Sequence, residues 1–333
     1  MDINVLIEVL SKHRIDAKHI PIIQELDEVQ NVCEFIYCIR STDGTFEQKI
    51  HKCTENFNIK KNIGVIYHEE TWRILLLEKT RKINGVNSYH LDNIYYDYVN
   101  SILQENDIEL YKAIIEKYNC KKALECAVGT NRIGNQLYPY LDVFVGVDLS
   151  ANMIKLATLK TRVANVSFYC DDMVNFDSLE KYDFIYCGYN SIQMLGSDTE
   201  VLRFLVNIRK FLTANGIVLI DLFNPQKEFL TEEKITEFKC SFTLPSQENH
   251  VMMLYETHQY DKKNRLNYIW YNYVDSITKE SLHTQYRMLQ LYPRTIKGIF
   301  DKAGFLIEEV FGDYCLGAFN KDSQKQIYVL KGK

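Results

Sequence analysis

The stretch LECAVGTNR at residues 124–132 decides the fold of this 333-residue chain. Its first residues suit a buried strand, and Gly129 follows in a tight turn before a segment that begins a helix. Because glycine has no Cβ, the backbone of such a turn can come into contact with a ligand. The stretch therefore predicts a strand–turn–helix unit that binds a small molecule at the carboxyl end of the strand.

Asp148 ends the next apolar run, residues 143–148, about 20 residues after the turn, where a carboxylate can accept hydrogen bonds from both hydroxyls of a ribose. Dinucleotide-binding turns use G-x-G-x-x-G, because a pyrophosphate must rest on bare backbone amides. This turn has one glycine, and Glu125 would repel a phosphate but suit an ammonium group. We therefore expect an adenosyl ligand without phosphate, which indicates S-adenosylmethionine (SAM).

The turn resembles motif I of the class I SAM-dependent methyltransferases, and more narrowly the small-molecule branch that is similar to glycine/sarcosine N-methyltransferases. Four later segments resemble further motifs of that family in the same order, namely residues 146–153, 171–173, 182–191 and 215–225. The resemblance implies methyl transfer from SAM, with S-adenosylhomocysteine as the second product. Ala127 and Asn131 stand where the family usually has glycine; Asn tolerates a left-handed backbone better than other residues that carry a side chain.

The family resemblance and the alternation of strands and helices over residues 120–222 predict an α/β fold with a Rossmann-like, mostly parallel, seven-stranded sheet. The methyltransferase domain is expected to span residues 89–333. Within it, the β-rich residues 225–292 predict an antiparallel insertion that forms a substrate lid.

Residues 1–88 lie outside the family pattern and predict a small α+β extension that serves dimerisation or covers the substrate. Apolar spacing predicts short helices over residues 3–10 and 20–26, and residues 63–67 and 72–77 read as a hairpin. Deleting residues 1–85 is expected to leave SAM binding largely intact while it impairs methyl transfer or dimerisation, provided that the remaining domain stays folded.

The resemblance places the cofactor contacts at strand ends and on a tyrosine-rich segment before the first strand. The predicted cofactor-binding residues are Tyr96, Tyr98, Glu125, Ala127, Gly129, Thr130, Arg132, Asp148, Leu149, Met153, Asp172, Met173, Cys187 and Gly188. Asp148 is expected to bind the ribose and Asp172 the adenine amino group. For Arg132 two readings stay open, a partner for the cofactor carboxylate or a solvated surface arginine.

Methyl transfer from a sulfonium is an in-line displacement, so positioning of the nucleophile supplies most of the rate. An acceptor that arrives as ammonium must also lose a proton, to water or to a base. The candidate bases are Tyr189, His283, Tyr286 and Asp313, and the predicted substrate-binding residues are Asn190, Gln193, Tyr271, Tyr273 and Arg287. Tyrosines of the insertion can hold a cationic acceptor, whereas Arg287 would imply a carboxylate.

Composition excludes several classes of partner and cofactor. The net charge of −5, with acidic and basic residues interspersed, gives no electrostatic footprint for nucleic acid or a membrane surface. The nine cysteines show no C-x-x-C spacing, so no metal site is expected, and no signal peptide or long apolar run is visible. We expect a cytoplasmic protein whose partners are a small-molecule acceptor and, as a further option, a second copy in a homodimer.

The sequence predicts a small-molecule methyltransferase with an amine nitrogen as the preferred acceptor and oxygen as the alternative, and this preference rests on the resemblance alone. A dinucleotide-dependent oxidoreductase is disfavoured by the missing glycines. A degenerate, SAM-binding protein without catalysis is a third reading, motivated by Ala127 and Asn131.

Overall fold

The computed structural model describes residues 1, 3–13, 15, 22–23, 34–40, 57–67, 70–79, 95–103, 106–226, 230–243 and 250–333. The α-helices of this part are α1 Ile3–Lys12, α2 Tyr96–Leu103, α3 Ile108–Tyr118, α4 Gly134–Leu137, α5 Ala151–Lys160, α6 Asp198–Arg209 and α7 Pro293–Lys302. The strands are β1 Ile22–Ile23, β2 Glu34–Arg40, β3 Phe57–Tyr67, β4 Glu70–Lys79, β5 Lys122–Cys126, β6 Val143–Asp148, β7 Val166–Cys170, β8 Tyr182–Cys187, β9 Leu212–Phe223, β10 Ile235–Thr243, β11 Val251–Asp261, β12 Leu266–Asp275, β13 Ser281–Leu289, β14 Phe305–Phe311 and β15 Lys325–Gly332.

Seven strands of the large sheet follow one another in the order β7-β6-β5-β8-β9-β15-β14, with β14 at the edge. β5 to β9 pair in parallel, and β15 is antiparallel to both β9 and β14. Apolar side chains on both faces build two core clusters, as a parallel sheet covered on both sides requires. The predicted Rossmann-like α/β fold is confirmed, and the carboxyl ends of β5, β6 and β8 meet at one edge, where ligands bind in such sheets.

The predicted count of seven strands is wrong for the whole sheet, which has eleven strands in the described residues. β3 pairs antiparallel with β7 through Lys61–Ile63, and β4, β2 and β1 follow outward. Without this pairing, β7 would be an edge strand with open N–H and C=O groups. The N-terminal strands thus continue the central sheet.

Helix α1 and the β3–β4 hairpin confirm two predictions for the N-terminal residues. The predicted helix over residues 20–26 is wrong where it is described, because Ile22–Ile23 form β1 and pair in parallel with β2. A short run of apolar residues is compatible with a helix or with a strand, and here the pairing with β2 stabilises the strand. The rest of that segment lies outside the described residues.

The insertion is a separate antiparallel sheet in the order β10-β11-β12-β13. β10 has no counterpart in the sequence prediction, because its first four residues are all exposed and show no alternation. Its later residues Cys240 and Phe242 pack on Val99 of α2. No helix among the described residues is long and apolar enough to cross a membrane.

Candidate cofactor and acceptor site

A partly open cavity lies at the carboxyl ends of β5 and β8, between α2 and the inner face of the insertion. The predicted site residues that line it are Tyr96, Glu125, Ala127, Thr130, Arg132, Gly188, Tyr189, Asn190, Tyr271, Tyr273 and Tyr286. β12 and β13 supply the last three, so the insertion covers the strand ends on this side.

Sequence reasoning missed several lining residues, among them Val99, Asn100, Leu103, Ser191, Met194 and Met288. Three of these continue from Tyr96 along α2 at spacings of three and four residues, which places them on one helix face. That spacing is visible in the sequence and could have identified them.

The turn after β5 has three left-handed residues, with φ of +62° at Ala127, +55° at Gly129 and +66° at Asn131. This conformation folds the turn back on β6, so that the Gly129 N–H donates to Asp148 Oδ2 at 2.8 Å. A left-handed backbone costs a residue with Cβ about 1–2 kcal/mol, which Asn offsets better than most. Ala127 lines the cavity, so the turn presents a small residue there.

Asp148 sits where β6 ends, and both of its carboxylate oxygens accept from backbone groups. Oδ2 accepts from Gly129 and Oδ1 from the Ser150 N–H, also at 2.8 Å. A carboxylate accepts hydrogen bonds at about four lone-pair sites, and such a group at the end of this strand is the type that binds the two hydroxyls of a ribose. Leu149 is exposed beside it, while Met153 is buried in the first turn of α5; none of the three lines the cavity itself.

Glu125 is a buried carboxyl group at the end of β5, only 3% exposed. Tyr186 donates its hydroxyl to Oε2 at 2.8 Å. Burial raises the pKa of Glu125 to about 8, because the charged form loses its hydration. A buried acid in the cavity wall suits a cationic ligand group, such as the ammonium group of an amino acid.

Arg132 does not stand free for the cofactor carboxylate. Its Nη1 and Nη2 donate to the two oxygens of Asp107 at 2.8 and 2.5 Å, and that carboxylate is fully buried. The guanidinium carbon also lies 5.1 Å from the centre of the Tyr189 ring. The only cationic side chain in the described cavity lining is therefore already neutralised by a bidentate pair.

Two tyrosines of the insertion line the cavity, and their hydroxyl groups lie within hydrogen-bond distance of each other. The Tyr271 and Tyr286 oxygens are 2.9 Å apart. Burial raises the pKa of both phenols above its usual value, so both stay protonated at neutral pH. The hydroxyl pair can accept a hydrogen bond from one N–H of the methyl acceptor, and the rings can stack against that molecule. Neither phenol is a strong base.

Several predicted cofactor residues lie outside the cavity, for identifiable reasons. Tyr98 stacks on Phe242 and anchors β10. Cys187 is fully buried in β8, so only its backbone can reach a ligand. The Asp172 carboxylate accepts hydrogen bonds from the Val174 N–H and from Asn175 Nδ2 and so closes a turn. Met173 packs against the hydrophobic core.

The predicted residues His283, Arg287, Gln193 and Asp313 are also absent from the cavity lining. His283 is exposed on β13 and hydrogen-bonds Ser281 Oγ, while the Arg287 guanidinium lies next to Gly196. Gln193 is buried and joins Leu289 O to the Phe223 N–H. Asp313 accepts from two backbone N–H groups of its own loop.

Comparisons with known proteins agree with this geometry. Residues 123–216, from β5 into β9, match the family model described as a methyltransferase domain. A malonyl-[acyl-carrier protein] O-methyltransferase of Bacillus anthracis is 24% identical over 169 residues, which are 49% of this chain and 58% of that protein. The chain thus spans less than two thirds of the length of this curated relative.

Two solved structures share the fold. A SAM-dependent methyltransferase from Clostridium acetobutylicum has a TM-score of 0.61 at 16% identity, covering 71% of this chain and 96% of its own. A sugar N-methyltransferase from Streptoalloteichus has a TM-score of 0.59 at 17% identity, covering 77% of this chain and all of its own, 100%. Together with the matched domain, these findings support SAM as the cofactor.

Proposed function

We propose that this protein transfers the methyl group of SAM to an amine nitrogen of a small molecule. The observation that carries the proposal is the site at the carboxyl ends of β5 and β8, where the left-handed turn and the buried Glu125 line the cavity and the turn is held to Asp148 at the end of β6. Glu125 fits the ammonium group of SAM, and Asp148 its ribose. SAM supplies an electrophilic methyl group on its sulfonium, so the protein has mainly to position the acceptor and exclude water.

The charge of the cavity favours an amine over an anionic acceptor. With Glu125 assigned to SAM, the rest of the lining offers several tyrosines, and Arg132 is already paired with Asp107. Tyrosine rings stabilise cations, whereas a carboxylate acceptor needs an unpaired arginine or lysine. The Tyr271–Tyr286 pair can accept an N–H and so direct the nitrogen lone pair, while water takes the proton that the ammonium form must lose.

Oxygen methylation is the alternative, and the Bacillus relative is the finding that favours it. A malonyl group is an anion, however, and no unpaired cationic side chain lines the cavity among the described residues. We therefore rank an amine first and place a neutral hydroxyl acceptor second.

A matched pair of acceptors tests the choice of atom. Purified protein is incubated with methyl-labelled SAM and either cyclohexylamine or cyclohexanol, which differ only in the acceptor atom. The proposal predicts labelled N-methyl product from the amine and none above background from the alcohol. Methylation of the alcohol alone would show that the enzyme methylates oxygen. Binding of NADH but not SAM in a parallel titration would show that the protein is not a methyltransferase.

Binding of SAM should release a proton from Glu125. Below about pH 8 the buried carboxyl is protonated in the free protein, and a bound ammonium group stabilises its charged form and lowers that pKa. Affinity should therefore rise with pH up to about 8, with about one proton released per SAM at pH near 6.5. Calorimetry in buffers of different ionisation enthalpy measures the proton count, and Glu125→Gln is the control that should release none.

Asn131→Gly should leave SAM affinity unchanged within about threefold, because the buried Asn131 side chain points away from the cavity, toward Asn135, Tyr138 and Thr161. The melting temperature should fall, since buried hydrogen bonds worth roughly 1 kcal/mol each are lost. Calorimetry and thermal denaturation measure the two effects. A tenfold loss of affinity would show instead that the Asn131 side chain acts on the ligand.

A further inference from the structure

Asn190 lies in the cavity lining just after β8, and three of its four polar groups form hydrogen bonds within the protein. Its N–H donates to Asp221 O at 3.1 Å, and its carbonyl accepts from the Gln193 N–H at 2.9 Å. Both Asn190 and its neighbour Tyr189 have left-handed backbones, with φ of +65° and +50°. Two such residues in succession are costly away from glycine, and strain of this kind concentrates at functional sites.

Lys325 fixes which way the Asn190 amide points. Its ammonium group is 3.3 Å from Asn190 Oδ1. An ammonium group can only donate, so the oxygen of the amide must face Lys325 and the Nδ2 group must face the other way. Nδ2 has no hydrogen-bond partner in the part of the chain that the structure describes, while Asn190 borders the cavity.

Asp221 contacts both the Tyr189 backbone and Lys325, and Tyr314 in turn holds the Asp221 carboxylate in place. Asp221 is fully buried at the end of β9, and Oδ2 accepts from the Tyr189 N–H at 2.9 Å and from the Tyr314 hydroxyl at 2.7 Å. Its Oδ1 lies 3.8 Å from Lys325 Nζ, whose side chain is only 5% exposed. This contact with Asp221 holds the Lys325 side chain beside Asn190, and so fixes the orientation of the amide.

We infer that Asn190 Nδ2 is a specificity-determining donor, which binds an oxygen of the methyl acceptor, and that Asp221 and Lys325 are the positioning residues that orient it. The inference rests on the proposed function and narrows it: the acceptor is an amine that also carries a hydroxyl or carbonyl oxygen near the reacting nitrogen. An amine without that oxygen leaves Nδ2 unpaired in the complex, which costs binding.

The test compares cyclohexylamine with the positional isomers of aminocyclohexanol and of methoxycyclohexylamine as acceptors for methyl-labelled SAM. The parent protein should prefer the best isomer of each to cyclohexylamine by about tenfold or more in kcat/KM. Asn190→Asp keeps the oxygen that faces Lys325 but removes the donor, and Asn190→Gly removes both while it still allows the left-handed backbone. Asn190→Gly should lose the preference, whereas Asn190→Asp can still accept from the hydroxyl and should lose the preference only for methoxycyclohexylamine, whose ether oxygen cannot donate. SAM affinity should stay within about threefold of the parent in both variants. Asn320→Asp, an exposed position with the same charge change, is the control and should behave as the parent.

The outcomes separate the possibilities. If Asn190→Asp still prefers methoxycyclohexylamine to cyclohexylamine, the donor role is wrong. Equal turnover of amine and amino alcohol by the parent would also overturn the inference while leaving amine methylation standing. Should neither acceptor turn over, saturation-transfer NMR with the S-adenosylhomocysteine complex decides the donor role: the parent should bind the amino alcohol about tenfold more tightly than cyclohexylamine, and equal binding would overturn the inference.

Discussion

Replacing Asp148 with Ala should reduce SAM affinity by two to four orders of magnitude. The substitution removes two charge-assisted hydrogen bonds to the ribose, each worth roughly 1.5–3 kcal/mol, and about 1.4 kcal/mol corresponds to a factor of ten. It also removes the acceptor of the Gly129 N–H, so the turn that borders the cavity loses its contact with β6. Calorimetric titration with SAM and with S-adenosylhomocysteine measures the loss.

Asp142→Ala is the matched control, because Asp142 is exposed just before the opposite end of β6 and outside the cavity. It should bind SAM as the parent does. Asp148→Asn, which keeps one acceptor oxygen, should fall between the parent and the alanine variant. Unchanged affinity in a folded Asp148→Ala protein would mean that the ribose does not bind at the end of β6.

Deleting residues 1–85 should abolish cooperative folding of the remaining chain, contrary to the expectation from the sequence. Ile59, Leu75 and Leu77 of the N-terminal strands belong to the same core cluster as Phe168 of β7. Each is at most 1% exposed, and burial of such a side chain contributes roughly 1.5–3 kcal/mol. A few of these losses match the whole stability of a domain, about 5–15 kcal/mol.

Polar groups join the two parts as well. Arg73 of β4 is fully buried and donates from Nη1 to Val163 O at 3.0 Å and to Val166 O at 2.7 Å, next to the start of β7. Asn62 donates to Thr158 Oγ1 at 2.8 Å, on the helix that begins beside Asp148. The N-terminal strands therefore support the element that leads out of the cofactor site.

Thermal denaturation and light scattering on the truncated protein measure this effect. A pair of glycine variants gives a milder test in the full chain: a Cβ at Gly64 would meet Ala164 O at 2.4 Å and Arg73 Nη1 at 2.6 Å, whereas a Cβ at Gly298 in α7 meets nothing within 4 Å. Gly64→Ala should lower the melting temperature, and Gly298→Ala should leave it unchanged or raise it. A monomeric truncated protein that melts cooperatively and binds SAM would show instead that the N-terminal residues are an extension that the remaining domain does not need for folding.

The parallel core and the cofactor end of the site could be predicted from the sequence because both depend on short-range patterns. Strand and turn are contiguous at residues 124–132, and the approach of Gly129 to Asp148 follows from adjacent parallel strands. The β11–β13 sheet and the last helix were likewise visible as alternation and as a proline in the first helical turn.

What could not be predicted depends on pairings between distant residues. Asp107, which neutralises Arg132, lies 25 residues before it at the start of α3. Lys325, on the last strand, meets Asn190 only because β15 inserts beside β9. The joining of β3 to β7 depends on a vacant sheet edge, and one-dimensional patterns do not reveal which edges are vacant.

Whether the site performs methyl transfer can be measured by turnover with trideuteromethyl-labelled SAM in a pool of small-molecule amines. Mass spectrometry should find S-adenosylhomocysteine together with an amine that has gained the trideuteromethyl group, and Asp148→Ala should form neither above background. Tight binding of SAM without either product across that pool would identify instead a SAM-binding protein that does not catalyse.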